Sequence, residues 1–548
     1  MEIERADQWS DRTLGRGMKT VCWTTLAWAI LLAILCLHKN WRFVYDDAYI
    51  TMRYARHLAT GHGPRWNLSG PPVEGYSSPL HLLLLAALGM ARIPLVGAAR
   101  MVGFVSHAAL VVFLWRFMVR RDGTVAATLV SALVISSWPM LVWDLGGLES
   151  TLFAATLAMG TLVTLDYIET GSRREIVAGG ALLGLAVFVR PEGALVAAIA
   201  LLSCLAMGQA MTLWSRVVDV ALAGASCTLV MLPWEIFRLL YYHSALPNTY
   251  YAKVYGIPLD WRLSSGLAYC RLYVRNAPNL VLMVTVVGIA VLVMRKGTRL
   301  DAGLWACLAF YGIYVVDCGG DHMMAFRFMV PMVPLIAVVL VRGIVRLGGL
   351  KTVGRAAAIS LLLALASARQ VRSGTLNPGH QDTSVLIGEQ VDDYINHHWA
   401  SGSLVAVNVA GATAYYADGF NFIDMLGLSD STIARRNPVP MDLPTGKLVG
   451  HLKGDAASVL ARRPQYIIPR GENGPELRPD TPVFLLGDYE LANSSEFWKN
   501  YKACEVGLPL SVDVNEQLST SMLRLSPSQL LFVYYQRRDM QTPCTMPK

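Results

Sequence analysis

Long apolar runs, each closed by a short polar or charged loop, recur along the chain from residue 20 to about residue 368. Runs of bilayer length fall near 20–38, 97–118, 124–142, 151–168, 176–190, 194–213, 217–240, 279–294, 300–316, 325–345 and 354–368, about eleven spans in all. The pattern predicts a polytopic α-helical membrane protein. Residues 78–91 form a further apolar run that is short for a crossing. Taken as a helix lying at the boundary, it leaves Arg12, Arg16 and Lys19 on the same side as Arg120-Arg121, Arg173-Arg174, Arg295-Lys296 and the pair Arg346 and Lys351. Basic residues gather in cytoplasmic loops, so that side is the cytoplasm. Beyond about residue 370 the pattern changes. Short apolar stretches at 404–409, 466–468, 483–486 and 530–535, bounded by Gly, Pro, Asp and Asn, predict strands that alternate with helices such as 382–399. The chain therefore divides into a helical module at 1–368, with a first outward loop at about 39–96, and a C-terminal α/β domain at 369–548 that parity places in the periplasm.

Composition agrees with this division. Of 548 residues, 54% are hydrophobic and 16% charged, where a soluble protein carries about a quarter charged. The first apolar run follows a charged stretch and has no small-residue cleavage site, so it reads as a retained span. The net charge of +8 follows from basic cytoplasmic loops and is no sign of a nucleic-acid partner. Most of the nine cysteines sit in apolar runs, whereas Cys504 and Cys544 lie in the outward domain, where an oxidising compartment would let them pair.

The polar loops that emerge on the non-cytoplasmic face are unlike ordinary connectors. They hold Asp46-Asp47, Gly146-Gly-Leu-Glu-Ser150, Arg190-Pro-Glu192, Leu246-Pro-Asn-Thr-Tyr-Tyr-Ala-Lys253 and Asp317-Cys-Gly-Gly-Asp-His-Met-Met-Ala-Phe-Arg327. Acids, amides, aromatics and cations meet on one surface. Asp46 and Asp47 sit just past the first span, at the head of an amphipathic segment. Either suits a general base for a sugar hydroxyl, and either suits the cap and first turn of the helix that follows. Glu74 and Tyr76, in Val73-Glu-Gly-Tyr-Ser-Ser-Pro79, are candidate sugar contacts, Tyr76 being equally an interface anchor. Arg190 either ties helices together through Glu149 or Glu192 or shares in binding phosphate. Lys253, Asp321, His322 and Arg327, with Asn248 and Tyr251, form a polar rim rich in cations. It suits a leaving phosphate or, more simply, lipid headgroups. No Walker loop, dinucleotide fingerprint, zinc spacing or Ser-His-Asp signature is present. Without a nucleotide cradle, an enzyme of this kind needs a donor delivered within the membrane, as a lipid-linked sugar is.

The run Asp46-Asp47-Ala-Tyr-Ile-x-x-Arg53-Tyr54-Ala55-Arg56, with Gly61-His-Gly63, Asn67 and Val73-Glu-Gly-Tyr-Ser, resembles the polyprenyl-phosphate-dependent GT-C fold glycosyltransferases. Within them the likeness is to AftB-like arabinofuranosyltransferases, including pilin-modifying TfpW-type enzymes. Gly147-Leu-Glu149, Arg190-Pro-Glu-Gly193, Leu246-Pro-Asn-Thr-x-Tyr-Ala-Lys253, Gly319-Gly-Asp-x-Met, Arg327-Phe, Asp424-Met-Leu-Gly-Leu-Ser-Asp430 and Gly450-His-Leu-Lys-Gly-Asp455 keep the same order. The resemblance implies an inverting transferase that moves arabinofuranose or a similar sugar from a polyprenyl-phosphate donor to a periplasmic acceptor, a type IV pilin or a cell-surface glycan. It implies Asp46 as first and Asp47 as second choice of base, and Arg190, Lys253, His322 and Arg327 as phosphate ligands. Glu74, Tyr76, Glu149, Asn248, Tyr251, Asp321, Asp424, Asp430 and His451 are then sugar or acceptor contacts. Some such enzymes use a divalent cation, which the adjacent acids would suit but nothing requires. Two other readings stay open: a transporter or flippase for a lipid-linked sugar, and an enzyme of the same fold moving another sugar such as mannose or aminoarabinose.

Overall fold

The computed structural model describes residues 14–209, 212–437, 439, 450–469, 476–479, 485–510, 529–541 and 544. Its helical module opens with α1 (Arg16–Asn40), which is apolar on all sides and ends in His38 and Lys39. Next come α2 (Asp46–Ala59), α3 (Pro79–Met90) and α4 (Leu95–Asp122). At 12 residues, α3 is about 18 Å long, well short of the roughly 30 Å hydrocarbon layer. The predicted span at 124–142 is broken. α5 (Thr124–Ile135) and α6 (Trp138–Leu145) meet at 49°, because Pro139 in the first turn of α6 has no N–H to continue the ladder of α5.

The module continues through α7 (Ser150–Thr170), α8 (Arg173–Val189), α9 (Gly193–Met207), α10 (Leu213–Tyr241) and the short α11 (Asn248–Lys253). α12 (Leu259–Asn276) and α13 (Pro278–Val293) follow, sharply bent at their junction, then α14 (Arg299–Asp317). The predicted span at 325–345 opens instead on a 3-10 segment, Met324–Met332, with Ala325 and Phe326 at positive φ, before α15 (Val333–Arg346) and α16 (Val353–Ala368). Among the described residues six helices are long and apolar enough to cross a bilayer, and up to eight if each of two bent pairs counts as one span. The expected eleven also include α8, α9 and α16, which at 17, 15 and 16 residues lie at or below the short end of the range for a crossing.

The C-terminal domain opens with α17 (Thr383–His398), matching the expected helix. A five-stranded sheet follows, in the order β2-β1-β3-β5-β4. β1 (Leu404–Val407) runs parallel to both β2 (Asn421–Asp424) and β3 (Tyr466–Ile468). β5 (Gln529–Arg537) is antiparallel to β3 and to β4 (Tyr501–Pro509). α18 (Ala412–Tyr416), α19 (Ser431–Arg435), α20 (Ala456–Ala461), α21 (Leu486–Ala492) and α22 (Ser495–Asn500) fill the connections. A strand was expected at 483–486. Residues 483 and 484 lie outside the described residues, and Leu486 begins α21 instead. Two strands, β2 and β4, were not foreseen. Cys504 in β4 is disulfide-bonded to Cys544, and Trp399 stacks on Tyr466 at 3.7 Å between ring centroids.

α2 holds the two units together. The sequence suggests a boundary helix with one wet face, yet Asp46, Ala48 through Ala55 and His57 are all buried. The C-terminal domain covers the polar face. Arg53 donates from Nε to the carbonyl of Trp66 (2.7 Å), from Nη2 to that of Phe420 (3.1 Å) and from Nη1 to that of Ala414. Arg56 and His57 both reach Asp418. Removing a partner from a buried carbonyl costs about 1–3 kcal/mol. We therefore expect Arg53→Met, which keeps the aliphatic stem and strands three carbonyls, to destabilise the protein by about 3 kcal/mol or more, read as a lower midpoint in thermal unfolding of the purified protein; an unchanged midpoint would show that the junction holds without the guanidinium.

Candidate active site

Two cavities meet at the head of α2. The larger, of about 580 Å³, lies among the helical-module loops and is lined by Glu149, Arg190, Glu192, Tyr314, Asp321, Arg327 and Phe328, among others. The smaller, of about 350 Å³, lies under the C-terminal domain and is lined by Tyr45, Asp46, Asp382, Asn408, Leu426 and Asp488, among others. Asp47, Ile50, Lys253, His322, Leu428, Gly450 and His451 line both, and so form their shared wall. Lys253 Nζ stands 3.6 Å from Asp47 Oδ2.

Asp46 and Asp47 differ in environment although they are neighbours in sequence. The Asp46 carboxylate is turned to the C-terminal domain, where Oδ1 accepts the backbone N–H of Ala412 at 2.8 Å. Residue 411 must be glycine there, since a Cβ would collide with the Asp46 backbone oxygen and carboxylate. Asp46 is 8% exposed, and burial raises its carboxyl to about 8, against the lowering effect of the backbone N–H groups. Asp47, one residue on, lines both cavities. At the same wall the rings of His322 and His451 meet edge to face at 4.6 Å, and burial lowers both imidazoles below their usual range. Nδ1 of His451 has no hydrogen-bond partner among the described residues.

In the larger cavity each guanidinium is already engaged by acid. Arg190 donates from Nη1 to Glu149 and from Nε to Glu192, while Arg327 Nε donates to Asp321 Oδ2 at 2.8 Å. Both lie against Phe328, with guanidinium carbons 5.3 and 5.1 Å from the ring centroid. The guanidinium of Arg190 holds Glu149 down at about 2, and that of Arg327 lowers Asp321. Among the described residues, Arg190 Nη2 and both terminal nitrogens of Arg327 keep no protein acceptor. An anion entering the cavity therefore meets open donors on a charge-balanced wall. Among the described residues no group of three or more His, Cys, Asp or Glu is arranged to hold a metal ion.

Several residues expected at the site stand outside both cavities. Glu74 is buried against Arg238 (2.6 Å) and Trp234 Nε1 (3.2 Å), which ties its loop to α10. Asn248 donates to the carbonyls of Gly427 and Leu428 at 2.8 and 2.9 Å, pinning α11 to the loop after β2. Tyr251 carries the Arg435 guanidinium on its ring. Asp424 accepts three backbone N–H groups, from Leu426, Gly427 and Ser429, and so shapes the loop that delivers Leu428 to the wall. Asp430 caps α19 and pairs with Arg462. Tyr76 does line the larger cavity, but its hydroxyl is shared with Tyr242 at 2.8 Å. Glu192, Phe328, Asp382, Asn408 and Asp488 were not among the expected site residues. Asn408 lay inside the stretch expected as a strand at 404–409; β1 ends at Val407, so Asn408 follows it directly.

Comparison with known proteins bears on the fold. Over 243 residues the chain is 30% identical to the terminal beta-(1->2)-arabinofuranosyltransferase of Mycobacterium tuberculosis, a match that takes in 40% of this chain and 37% of that protein. The match thus spans little more than a third of this curated relative's length. Residues 374–513 match a family model described as a domain of unknown function (DUF8728). The structure resembles that of ArnT from Cupriavidus metallidurans bound to undecaprenyl phosphate, at 12% identity, with a TM-score of 0.58 over 96% of this chain and 99% of that one. The apo form of the same protein gives 0.53 over 93% and 97%. The chain is a membrane protein of the GT-C fold, with a helical body and a C-terminal sheet domain.

The Asp46 environment gives a pH dependence. Its folded-state value of about 8 lies above the ordinary 3.8, so the native protein holds a proton that the unfolded chain gives up between those values. Stability from this group is complete below about 4 and drains away as the pH rises through about 8. Asp46→Asn, which mimics the protonated form, is expected to gain in melting temperature relative to wild type as the pH is raised from 5 to 8.5. A constant gap across that range would mean that Asp46 is ionised throughout.

Proposed function

We propose that the chain is an inverting glycosyltransferase that moves a sugar from a polyprenyl-phosphate carrier to an acceptor hydroxyl, with Asp47 as general base. One observation carries the reading: a carboxylate stands in the wall common to two cavities, one rich in open guanidinium donors and the other lying under the C-terminal domain. On this reading the donor's phosphate lies against Arg190, Arg327 and Lys253. The acceptor enters through the smaller cavity. Its hydroxyl gives its proton to Asp47 as the oxygen bonds to the anomeric carbon. The bond from that carbon to the phosphate oxygen breaks on the opposite face, the electron pair leaving with the phosphate, whose growing charge the guanidinium N–H groups receive. Attack on one face and departure from the other invert the anomeric centre. Neutral His322 and His451 would serve as uncharged hydrogen-bonding groups beside the sugar.

This reading exchanges the order of preference between the two acids. Asp46 is occupied by the amide of Ala412 and carries a proton at neutral pH, so it serves to hold the C-terminal domain against α2. The likeness to a mycobacterial arabinofuranosyltransferase favours arabinofuranose as the sugar. The undecaprenyl phosphate bound to the structurally similar ArnT favours that lipid as the carrier. The site faces the periplasm of the inner membrane, where a type IV pilin or a cell-surface glycan is the acceptor; the distribution of basic loops supports that orientation.

The test is transfer by the purified protein in lipid nanodiscs, given synthetic polyprenyl-phosphate arabinofuranose and a cell-envelope acceptor fraction. Asp47→Asn should lower turnover by at least about a hundredfold with donor binding retained, while Asp46→Asn keeps a measurable rate; the reverse ranking would return the base to Asp46. A separate arm reads the phosphate site. Arg327→Lys keeps a partner for buried Asp321 but loses the planar fork, and should weaken undecaprenyl-phosphate binding by about tenfold; equal affinity would confine Arg327 to its ion pair.

A further inference from the structure

The far ends of two apolar helices carry charge that the candidate site does not use. α1 and α16 lie side by side and run in the same direction. Near their starts, a Cβ on Gly17 would meet the Val353 side chain at 3.1 Å. Midway, the hydroxyls of Thr25 and Ser360 share a hydrogen bond at 2.7 Å. At their far ends, Lys39 Nζ donates to the carbonyl of Val371 at 3.2 Å. Lys39 therefore rests on the 3-10 turn Arg369–Arg372 that closes α16. Lys39, Arg369 and Arg372 are all exposed, and the sequence holds no acid at 34–45 or at 354–381. Among the described residues, the guanidinium groups of Arg369 and Arg372 have neither an ion pair nor a hydrogen bond.

A groove of about 590 Å³ opens beside this cluster, lined among others by Ile34, Leu37, His38, Lys39, Trp41 and Arg42. The apolar run of α1 ends at Leu37 and polar residues begin at His38, so the step from hydrocarbon to water falls inside the groove. Trp41, 55% exposed, stands at that level, where indole rings gather in membrane proteins. Arg100 holds it there, with its guanidinium carbon 5.1 Å from the ring centroid and Nη2 donating to the Trp41 carbonyl at 2.9 Å. From the groove the chain runs through Phe43, Val44 and Tyr45 to Asp46 and Asp47, which puts groove and candidate site on one face of the helical module. In the orientation proposed above, Lys and Arg are scarce in the short loops of that face. A cluster of them without acids calls for a partner.

We propose that the far ends of α1 and α16 form a binding site for an anionic phospholipid of the surrounding leaflet, with its phosphodiester held by Lys39, Arg369 and Arg372 and its acyl chains lying along Ile34 and Leu37. The ligand's chemistry follows from the two halves of the site. Cations without acid partners favour an anion, and apolar side chains directly beneath them favour hydrocarbon. A phospholipid joins the two at this depth. Lys39 donates one of its three N–H groups to Val371 and keeps the others for the phosphate. A zwitterionic lipid brings an ammonium group of its own to the same cations and is held less well. The lipid acts as a tether with no part in sugar transfer: it fixes the end of α1, from which the chain passes into α2.

The purified full-length protein in a neutral detergent is titrated with dioleoyl phosphatidylglycerol and with dioleoyl phosphatidylcholine, and bound lipid is counted by native mass spectrometry. Wild type should hold the phosphatidylglycerol at least about tenfold more tightly, and Lys39→Gln/Arg369→Gln/Arg372→Gln should abolish the difference. Arg16→Gln/Lys19→Gln/Arg355→Gln takes the same charge from the opposite ends of the same two helices and should leave the preference intact. The proposal falls if wild type binds both lipids equally, if the first triple variant keeps the preference, or if the two triple variants lose it alike. Equally tight binding of glycerophosphoglycerol, the headgroup without its chains, overturns it too, since Ile34 and Leu37 would then play no part. Should the first triple variant fail to fold, Arg369→Gln/Arg372→Gln, which breaks no hydrogen bond among the described residues, decides in its place: the preference should drop by at least about threefold, and an unchanged preference overturns the proposal.

Discussion

The capture of Arg53 by three backbone carbonyls is the constraint from which the rest of the site follows. A guanidinium and a carboxyl group on the same face of α2 are taken out of water, and desolvation at that scale is tolerated only where each finds fixed partners. Arg53 finds the carbonyls of Trp66, Ala414 and Phe420, and Asp46 finds the N–H of Ala412. Apart from that of Trp66, these partners belong to the backbone in and around α18. The C-terminal domain is therefore docked on the helix that carries the acids, and its position sets the depth and walls of the smaller cavity. The close approach at Gly411 is part of the same fit. With both ends of the α2 polar face tied to backbone, Asp47 is presented by a rigid element instead of a loop, as the proposed role of base needs.

The larger cavity is built on the same balance of charge. Arg190 lies between two glutamates and Arg327 lies on Asp321, so neither guanidinium is a bare buried cation in the absence of ligand. The acids hold the planes of the guanidinium groups against Phe328 and leave terminal nitrogens open. A phosphate that gains charge as a bond breaks would meet donors already oriented, so little reorganisation is needed at that moment. Lys253, on the short α11, adds an ammonium at the boundary between the cavities. Its helix is held there by Asn248 binding the carbonyls of Gly427 and Leu428, which ties this part of the wall to the sheet domain as well.

How much of this was legible in the sequence follows from the range of each signal. Hydrophobic runs are local, and they located nearly every long helix. Their lengths misled where a proline or a non-helical turn interrupts a run, at Pro139 and at Ala325-Phe326. β2 and β4 were missed because Asn421–Asp424 is only four residues long and Tyr501–Pro509 mixes Lys, Glu and Gly into a strand; both are defined by neighbours distant in sequence. Polar residues clustered on one face pointed to Asp47 as a base and to Arg190, Lys253, His322 and Arg327 as phosphate ligands, and all five line the cavities. The same clustering also drew in Glu74, Asn248, Asp424 and Asp430, whose partners come from elsewhere in the fold. Residue type could not separate them, since a carboxylate that shapes a loop and one that lines a cavity read alike. Asp46 and Asp47 show the limit most plainly. Successive residues on a helix point about 100° apart, and which of the two faces backbone depends on where a domain more than three hundred residues later comes to rest.

That dependence has a chemical consequence. On the proposed reading, the base shared by the two cavities meets two ligands that differ in kind, a lipid-borne phosphate on one side and an acceptor on the other. Here the division of charge follows the division of the chain. The helical module supplies Arg190, Arg327 and Lys253. The sheet domain supplies Asp382, Asn408 and Asp488 to the smaller cavity, and its histidine in the shared wall, His451, is neutral. On the proposed reading the acceptor can change with the sheet domain alone, since Arg190 and Arg327 take their acid partners from the helical module. The limit on such change lies at α18, where the backbone of residues 411–420 must keep its fit to Asp46 and Arg53 whatever the crevice above it comes to hold.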